Sequence, residues 1–230
     1  MLQVSVITPT FNRISQLRNA IKYYRRQTFS HEAMEWIILD DGTESAEAII
    51  LDETFDLPNI RYIRSYKKET IGAKRNRLNQ EARAPIIVAW DDDDYYPPDR
   101  ISHVVSAFRE NPHLNVAGSS LMYFYFEDDN SIWKLGPFGP NHSTNGPLAY
   151  RSSYAKTHRY DDDAQRTEEP SFLNNFTEPM IQLDPMKTIL VVVHANNTVN
   201  KDTIRINNPA ATKTSLSLKN FMNSPQSLKL

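Results

Sequence analysis

Three groups of carboxylates in this sequence stand where acids can do chemistry. The longest, Asp91-Asp92-Asp93-Asp94, follows directly on the apolar run Ile86-Ile87-Val88-Ala89-Trp90. Four adjacent carboxylates repel one another, and a hard cation is a simple way to hold them together. Asp40-Asp41 ends a second apolar run, Trp36-Ile37-Ile38-Leu39, and Glu168-Glu169 precedes Pro170-Ser171-Phe172-Leu173. Each group also has a plainer reading, because acids collect in solvated loops and at helix starts, where the helix dipole favours negative charge. The apolar run before Asp91 weighs towards function: a buried strand that delivers carboxylates to the ligand edge of a sheet is costly without a metal.

Two patterns with similar residues fail on inspection. Leu39-Asp40-Asp41-Gly42-Thr43 has the strand-end look of an aspartyl-phosphate phosphohydrolase, but the nucleophile's position holds Leu39. A calcium loop would need evenly spaced oxygens and a glycine for its sharp turn, whereas Tyr95, Tyr96, Pro97 and Pro98 follow Asp94.

Composition removes other classes. The formal net charge of -2 over 230 residues lacks the basic excess of a nucleic-acid binder. There is no cysteine, hence no disulfide framework, thiolate zinc site or cysteine nucleophile. Only six glycines occur and no two form a G-x-G, so neither a dinucleotide fingerprint nor a Walker loop is available. A diphosphate would have to be held by side chains and a metal. No apolar run approaches membrane-spanning length, Ile189 to Val193 being strand-sized, and the N-terminus has no basic region leading into an apolar run. No membrane span and no signal peptide are expected, and the expected setting is cytoplasmic.

The elements that must position these acids alternate through the first half. Strands are predicted at Val4 to Thr8, Trp36 to Leu39, Ile60 to Ile63, Ile86 to Trp90 and Asn115 to Ser119. Helices are predicted at Ile14 to Gln27, Ala46 to Leu51, Gly72 to Ala82 and Pro98 to Arg109. Such alternation implies an α/β fold with a mainly parallel, Rossmann-like sheet and ligands at the carboxyl ends of its strands. The second half reads differently. It has a hairpin, Leu121 to Phe126 with Ser131 to Leu135, a loop from Gly136 to Pro147 that suits a lid or acceptor rim, and a strand at Leu148 to Arg151. A helix from Pro170 to Phe176, a strand at Ile189 to Val193 and a polar tail from 210 to 230 complete it.

Four segments in order carry a resemblance. Val4-Ser5-Val6-Ile7-Thr8-Pro9-Thr10-Phe11-Asn12-Arg13 resembles the opening strand of family 2 glycosyltransferases of the GT-A fold. Leu39 to Thr43 is similar to their second motif, Gly72-Ala73-Lys74-Arg75-Asn76 to their third, and Asp91 to Arg100 to their D-x-D-D segment with its following proline. The resemblance is close over about the first 120 residues and looser beyond. In compactness the chain resembles soluble bacterial or large-DNA-virus members.

The resemblance implies a single GT-A domain over 1–230, with a nucleotide-sugar-binding half (1–120), an acceptor half carrying the base and a smaller mixed sheet (121–209), and a tail (210–230). It implies that Thr8, Pro9 and Phe11 line the base pocket and that Asp41 accepts from the base imide. Arg13, Arg75, Asp91 and Asp92 would serve the rest of the nucleotide, with Asp91 on the ribose. Asp93 would ligate Mn²⁺ or Mg²⁺, with His194 as a further metal or phosphate contact. Glu169 would be the general base, with Glu168 as the alternate, pointing elsewhere, and Asp161 to Asp163 behind both. The implied reaction is inverting transfer from a nucleotide-diphosphate sugar, UDP-linked first, to a glycan or other hydroxyl acceptor. A non-catalytic nucleotide-sugar or glycan-binding module remains the alternative. So does a nucleotidyltransferase, although Thr8 to Arg13 lacks the glycine-rich loop such enzymes use.

Overall fold

A computed structural model describes residues 1–194 and 202–222. The first half runs β1 (Val4–Thr10), α1 (Ile14–Arg25), β2 (Met34–Asp40), α2 (Glu47–Thr54), β3 (Ile60–Arg64), α3 (Ile71–Glu81), β4 (Ile86–Ala89), α4 (Arg100–Glu110) and β5 (Val116–Gly118). The second runs β6 (Met122–Phe126), β7 (Ser131–Leu135), β8 (Ala149–Arg151), α5 (Ser152–Ala155), α6 (Glu169–Phe172), β9 (Met180–Gln182), β10 (Leu190–Val193), α7 (Asp202–Asn207) and β11 (Ala211–Lys213).

Seven strands form the large sheet, in the order β3-β2-β1-β4-β8-β5-β9, and four form the small one, β10-β6-β7-β11. β3, β2, β1 and β4 are parallel, while β8 is antiparallel to both β4 and β5. The large sheet is covered on both faces, which is why the centre of β2 and all of β4 read as apolar runs. Alternate residues serve alternate faces. Val4, Val6, Trp36, Ile38, Val88 and Trp90 pack with Leu17 and Ile21 of α1 and Val104 and Phe108 of α4. Ile7, Ile37, Leu39, Ile87 and Ala89 pack on the other face with Leu78 of α3 and Phe172 of α6. Tyr24 stacks on Trp36 with centroids 4.6 Å apart, fixing α1 against the centre of the sheet.

Three expectations change. The helix expected from Pro170 to Phe176 is one turn, because Asn174, Asn175 and Phe176 take left-handed backbone with φ of 48°, 52° and 61°. Asparagine tolerates that region better than other non-glycine residues, so the pair ends the helix. The boundary near residue 120 does not separate the sheets, since β8 and β9 complete the large one. The start of the tail is structural: β11 pairs antiparallel with β7, and Phe221 and Met222 are buried. The rest, 223–230, lies outside the described residues, as does the segment directly after His194.

Candidate active site

β4 delivers the acidic run, and aromatic packing fixes its exit. Trp90 and Tyr96 stack with centroids 4.0 Å apart, and the Tyr96 hydroxyl accepts from the Asp91 backbone N–H at 2.8 Å. The Tyr95 backbone pairs in both directions with Leu190, and Asp94 Oδ1 accepts from Val192 N at 2.9 Å. The small sheet is thereby tied to the acidic turn. The end of β10 brings His194 Nε2 to 3.8 Å from Asp93 Oδ2.

The remaining three carboxylates are told apart by their partners. Asp91 Oδ1 accepts from Arg75 Nη2 at 3.1 Å. Asp92 Oδ2 accepts from Thr10 Oγ1 at 2.7 Å and its Oδ1 from Arg13 Nη1 at 2.9 Å. The same Arg13 nitrogen reaches Asp93 Oδ2 at 2.8 Å. Burial and the Asp93 charge push the Asp92 carboxyl up to about 6 against the pull of Arg13. Among the described residues no group of three or more His, Asp or Glu side chains is gathered closely enough to hold an ion alone. One hard carboxylate beside one imidazole nevertheless fits a divalent ion whose remaining ligands are substrate phosphates and water.

The adjoining wall is built at the ends of β1 and β2. Asp41 is buried, its Oδ1 accepting from Lys74 Nζ at 2.7 Å and its Oδ2 from the Glu69 backbone N–H at 2.7 Å. Lys68 Nζ sits 4.5 Å from the centroid of Phe11. Pro9, Phe11, Arg13, Asp41 and Asp91 to Asp93 all line one cleft of about 1200 Å³. Thr8 does not line it; its buried hydroxyl accepts from Trp36 Nε1 at 2.8 Å, and Thr10 stands at the cleft instead.

Arg75 crosses the cleft. It is buried, donating from Nε to Glu168 Oε1 at 2.7 Å and from Nη2 to Asp91. Its Nη1 is buried without a hydrogen-bond partner among the described residues. Glu168 is therefore turned inward and accepts also from Asn145 Nδ2 at 2.9 Å. Burial opposes its charge, but Arg75 and its hydrogen bonds bring the carboxyl below its usual range. Glu169, accepting from the Asn145 backbone N–H at 2.9 Å, is pushed up by burial and by the Glu168 charge. Phe172 and Leu173, both fully buried, anchor the turn that carries the pair, with Phe172 stacked on Tyr160 at 4.2 Å.

Residues 5–167 match the sequence model of Glycosyl transferase family 2, well over half of the chain. The chain belongs to that family. Over 125 residues it is 31% identical to a GalNAc(5)-diNAcBac-PP-undecaprenol beta-1,3-glucosyltransferase of Campylobacter jejuni, covering 53% of this chain and 39% of that protein. Over 112 residues it is 26% identical to an uncharacterized glycosyltransferase of Haemophilus influenzae, covering 49% and 36% respectively. This family 2 chain thus spans less than half the length of these relatives.

Solved structures share its fold, the GT-A fold. S. aureus TarS in complex with UDP superposes with a TM-score of 0.64 at 17% identity, over 84% of this chain and 61% of that one. A Pyrobaculum calidifontis mannosyltransferase in complex with GDP-Man and Mn²⁺ gives 0.67 at 12%, over 85% and 58%.

In this family 2 chain the cleft brings together Pro9, Phe11, Arg13, Asp41, Arg75, Asp91, Asp92, Asp93, Glu168 and Glu169, with His194 beside Asp93. Asp161 to Asp163 do not line it. Asp161 caps its own loop, accepting at Oδ1 from Asp163 N, and Asp162 is held by Asn76 and Arg159. Sequence reasoning missed Thr10, Lys74 and Asn145. The first two lay inside motifs already quoted, one residue away from those singled out. Nothing local marks Asn145, which lies in the stretch read as a lid. That stretch is anchored at several points: Gln182 Nε2 donates to Pro140 O at 2.7 Å, and Ser143 and Asn145 are buried.

Proposed function

We propose that this chain moves a sugar from a nucleotide-diphosphate donor, a UDP-sugar first, onto the hydroxyl of a glycan or similar acceptor, by single displacement with inversion. The observation that carries the reading is the Arg75 bridge. One buried guanidinium joins Asp91, at the strand end where ligands of such sheets sit, to Glu168, which stands beside Glu169 at the start of α6.

Each residue then has a task. Pro9 and Phe11 flank the nucleotide base while Asp41 accepts from its imide. Asp91 accepts from a ribose hydroxyl. Arg13 and Arg75, both lining the cleft, lie against the phosphates. Asp93 and His194 hold Mn²⁺ or Mg²⁺, which when bound supplies positive charge to the diphosphate leaving group. Glu169 takes the acceptor's proton as the acceptor oxygen bonds to the anomeric carbon and the bond from that carbon to the diphosphate breaks. Its raised pKa makes it a stronger base than an exposed carboxylate. No second nucleophile is called for.

A donor panel tests this. UDP-, GDP- and dTDP-sugars are incubated with the chain, with and without Mn²⁺, and free nucleotide diphosphate is measured. Metal-dependent release from UDP-sugars, with the anomeric configuration of any glycoside product inverted, is the expected result. Tight nucleotide-sugar binding without any turnover would replace the enzyme reading with a binding module.

A further inference from the structure

The turn entering β8 belongs to none of the family-like segments, yet it touches both sides of the cleft. β8 runs antiparallel to β4, so its first residue lies at the end of β4 that carries the acidic run. The turn is closed by Leu148 N donating to Asn145 O at 2.8 Å. Arg100, fully buried at the start of α4, donates from Nη2 to the carbonyls of Pro147 and Leu148 at 2.7 and 3.3 Å. At Gly146 a Cβ would stand 2.7 Å from Ile189 Cδ1 and 3.1 Å from Asp91 Oδ2. The backbone is thus packed hard against the donor side.

From that fixed turn Asn145 reaches the acceptor side with its backbone N–H and both polar atoms of its side chain. Its backbone N–H donates to Glu169 Oε1 and its Nδ2 to Glu168 Oε1, each at 2.9 Å, while Oδ1 accepts from the Tyr160 hydroxyl at 3.2 Å. Two adjacent carboxylates in one environment titrate as a coupled pair and share their protons. Asn145 breaks the equivalence. Glu168 receives its side-chain amide in addition to Arg75, and Glu169 receives one backbone N–H on Oε1. Glu169 lines the cleft, where an incoming hydroxyl can meet its carboxylate.

We propose that Asn145 is a positioning residue that divides the work of the Glu168–Glu169 pair, keeping Glu168 an ionised anchor for Arg75 and Glu169 the proton acceptor. The inference rests on Glu169 being the base. The charged groups that bear on Glu169 are Glu168 on its own element and Arg75 from α3. Asp91 and Tyr160 act at one remove, through Arg75 and through Asn145.

The test is a carboxyl ¹³C NMR titration of the full chain labelled at glutamate, with the two signals assigned by Glu168→Gln and Glu169→Gln. Wild type should give two separated titrations, Glu168 below the ordinary range and Glu169 above it. In Asn145→Ala the Glu168 titration should rise by about one pH unit or more, the worth of one hydrogen bond to a charged group, and the two should draw together. Asn145→Ser, which keeps a shorter polar side chain, supplies the same comparison if the alanine variant does not fold. Titrations unmoved in a folded Asn145 variant would overturn the proposal. The base itself is tested separately by sugar transfer in Glu169→Gln, so failure of that reading is distinguishable from failure of this one.

Discussion

Arg75 Nε and Glu168 Oε1, 93 residues apart in the chain, lie 2.7 Å apart in the interior of the cleft. Both side chains are almost wholly buried, at 5% and 7% exposure, so each charge depends on the other. Removing one partner of such a pair leaves an uncompensated buried charge. Arg75→Met should therefore destabilise the chain by about 3–5 kcal/mol in urea unfolding. The double variant Arg75→Met with Glu168→Gln should recover a large part of that loss. Equal instability of single and double variants would show that the pairing is not what holds this region.

The two glutamates should leave opposite marks on stability against pH. Glu168 has a folded pKa below its unfolded value, so its contribution is present above the unfolded carboxylate pKa and is lost as pH falls through the lower folded one. Glu169 has a raised folded pKa, so its ionised form opposes folding at neutral pH and that penalty fades in acid. Thermal melts between pH 3 and 8 should show a shallower acid-side fall in Glu168→Gln. Glu169→Gln should melt higher than wild type at pH 7. A lower melting temperature for Glu169→Gln at pH 7 would contradict the assignment.

Asp93 is the carboxylate beside His194, and both are about 10% exposed. Asp93→Asn keeps the shape and leaves Arg13 its bond to Asp92, so the turn should fold. Most sugar transfer and the Mn²⁺ dependence of UDP binding should disappear. Undiminished transfer in excess chelator would end the metal-dependent account.

The base pocket has a similar probe. Asp41 already holds Lys74, so Asp41→Asn is the milder change and avoids leaving that ammonium against an apolar side chain. UDP affinity should fall by roughly 1–3 kcal/mol, the range for a hydrogen bond to a charged acceptor. Calorimetry with UDP and GDP checks it, and equal affinity of the native chain for both would reject a uracil-reading pocket.

Much of this was legible before the fold was known, for a physical reason. β2 and β4 are buried on both faces, so Trp36 to Leu39 and Ile86 to Trp90 are apolar runs, and each stops where its acids begin. Pattern and spacing therefore placed Asp41 and Asp91 to Asp94 at one edge. Thr8 was misplaced because it lies one same-face step back from the end of β1, where Trp36 Nε1 donates to its hydroxyl, whereas Thr10, two residues on, reaches the cleft; the run Thr8-Pro9-Thr10 does not reveal which of the two does so. The acceptor side was less legible because long-range pairing builds it. Glu168 turns inward only because Arg75 lies there, and Asn145 reaches the pair only because β8 inserts antiparallel beside β4. Asn174 and Asn175 were read through as helix because neither their left-handed backbone nor the turn it makes has an apolar period to mark it.

The central claim is that Glu169 takes the acceptor's proton, and one comparison tests it most directly. Glu169→Gln keeps the side-chain shape and removes the basic oxygen. Transfer from a donor that wild type uses is measured alongside UDP and Mn²⁺ affinity. Transfer should fall by roughly 10²–10⁴-fold while both affinities stay within a factor of about two. Normal transfer by Glu169→Gln would contradict the account, and loss of transfer in Glu168→Gln alone would move the base to its neighbour.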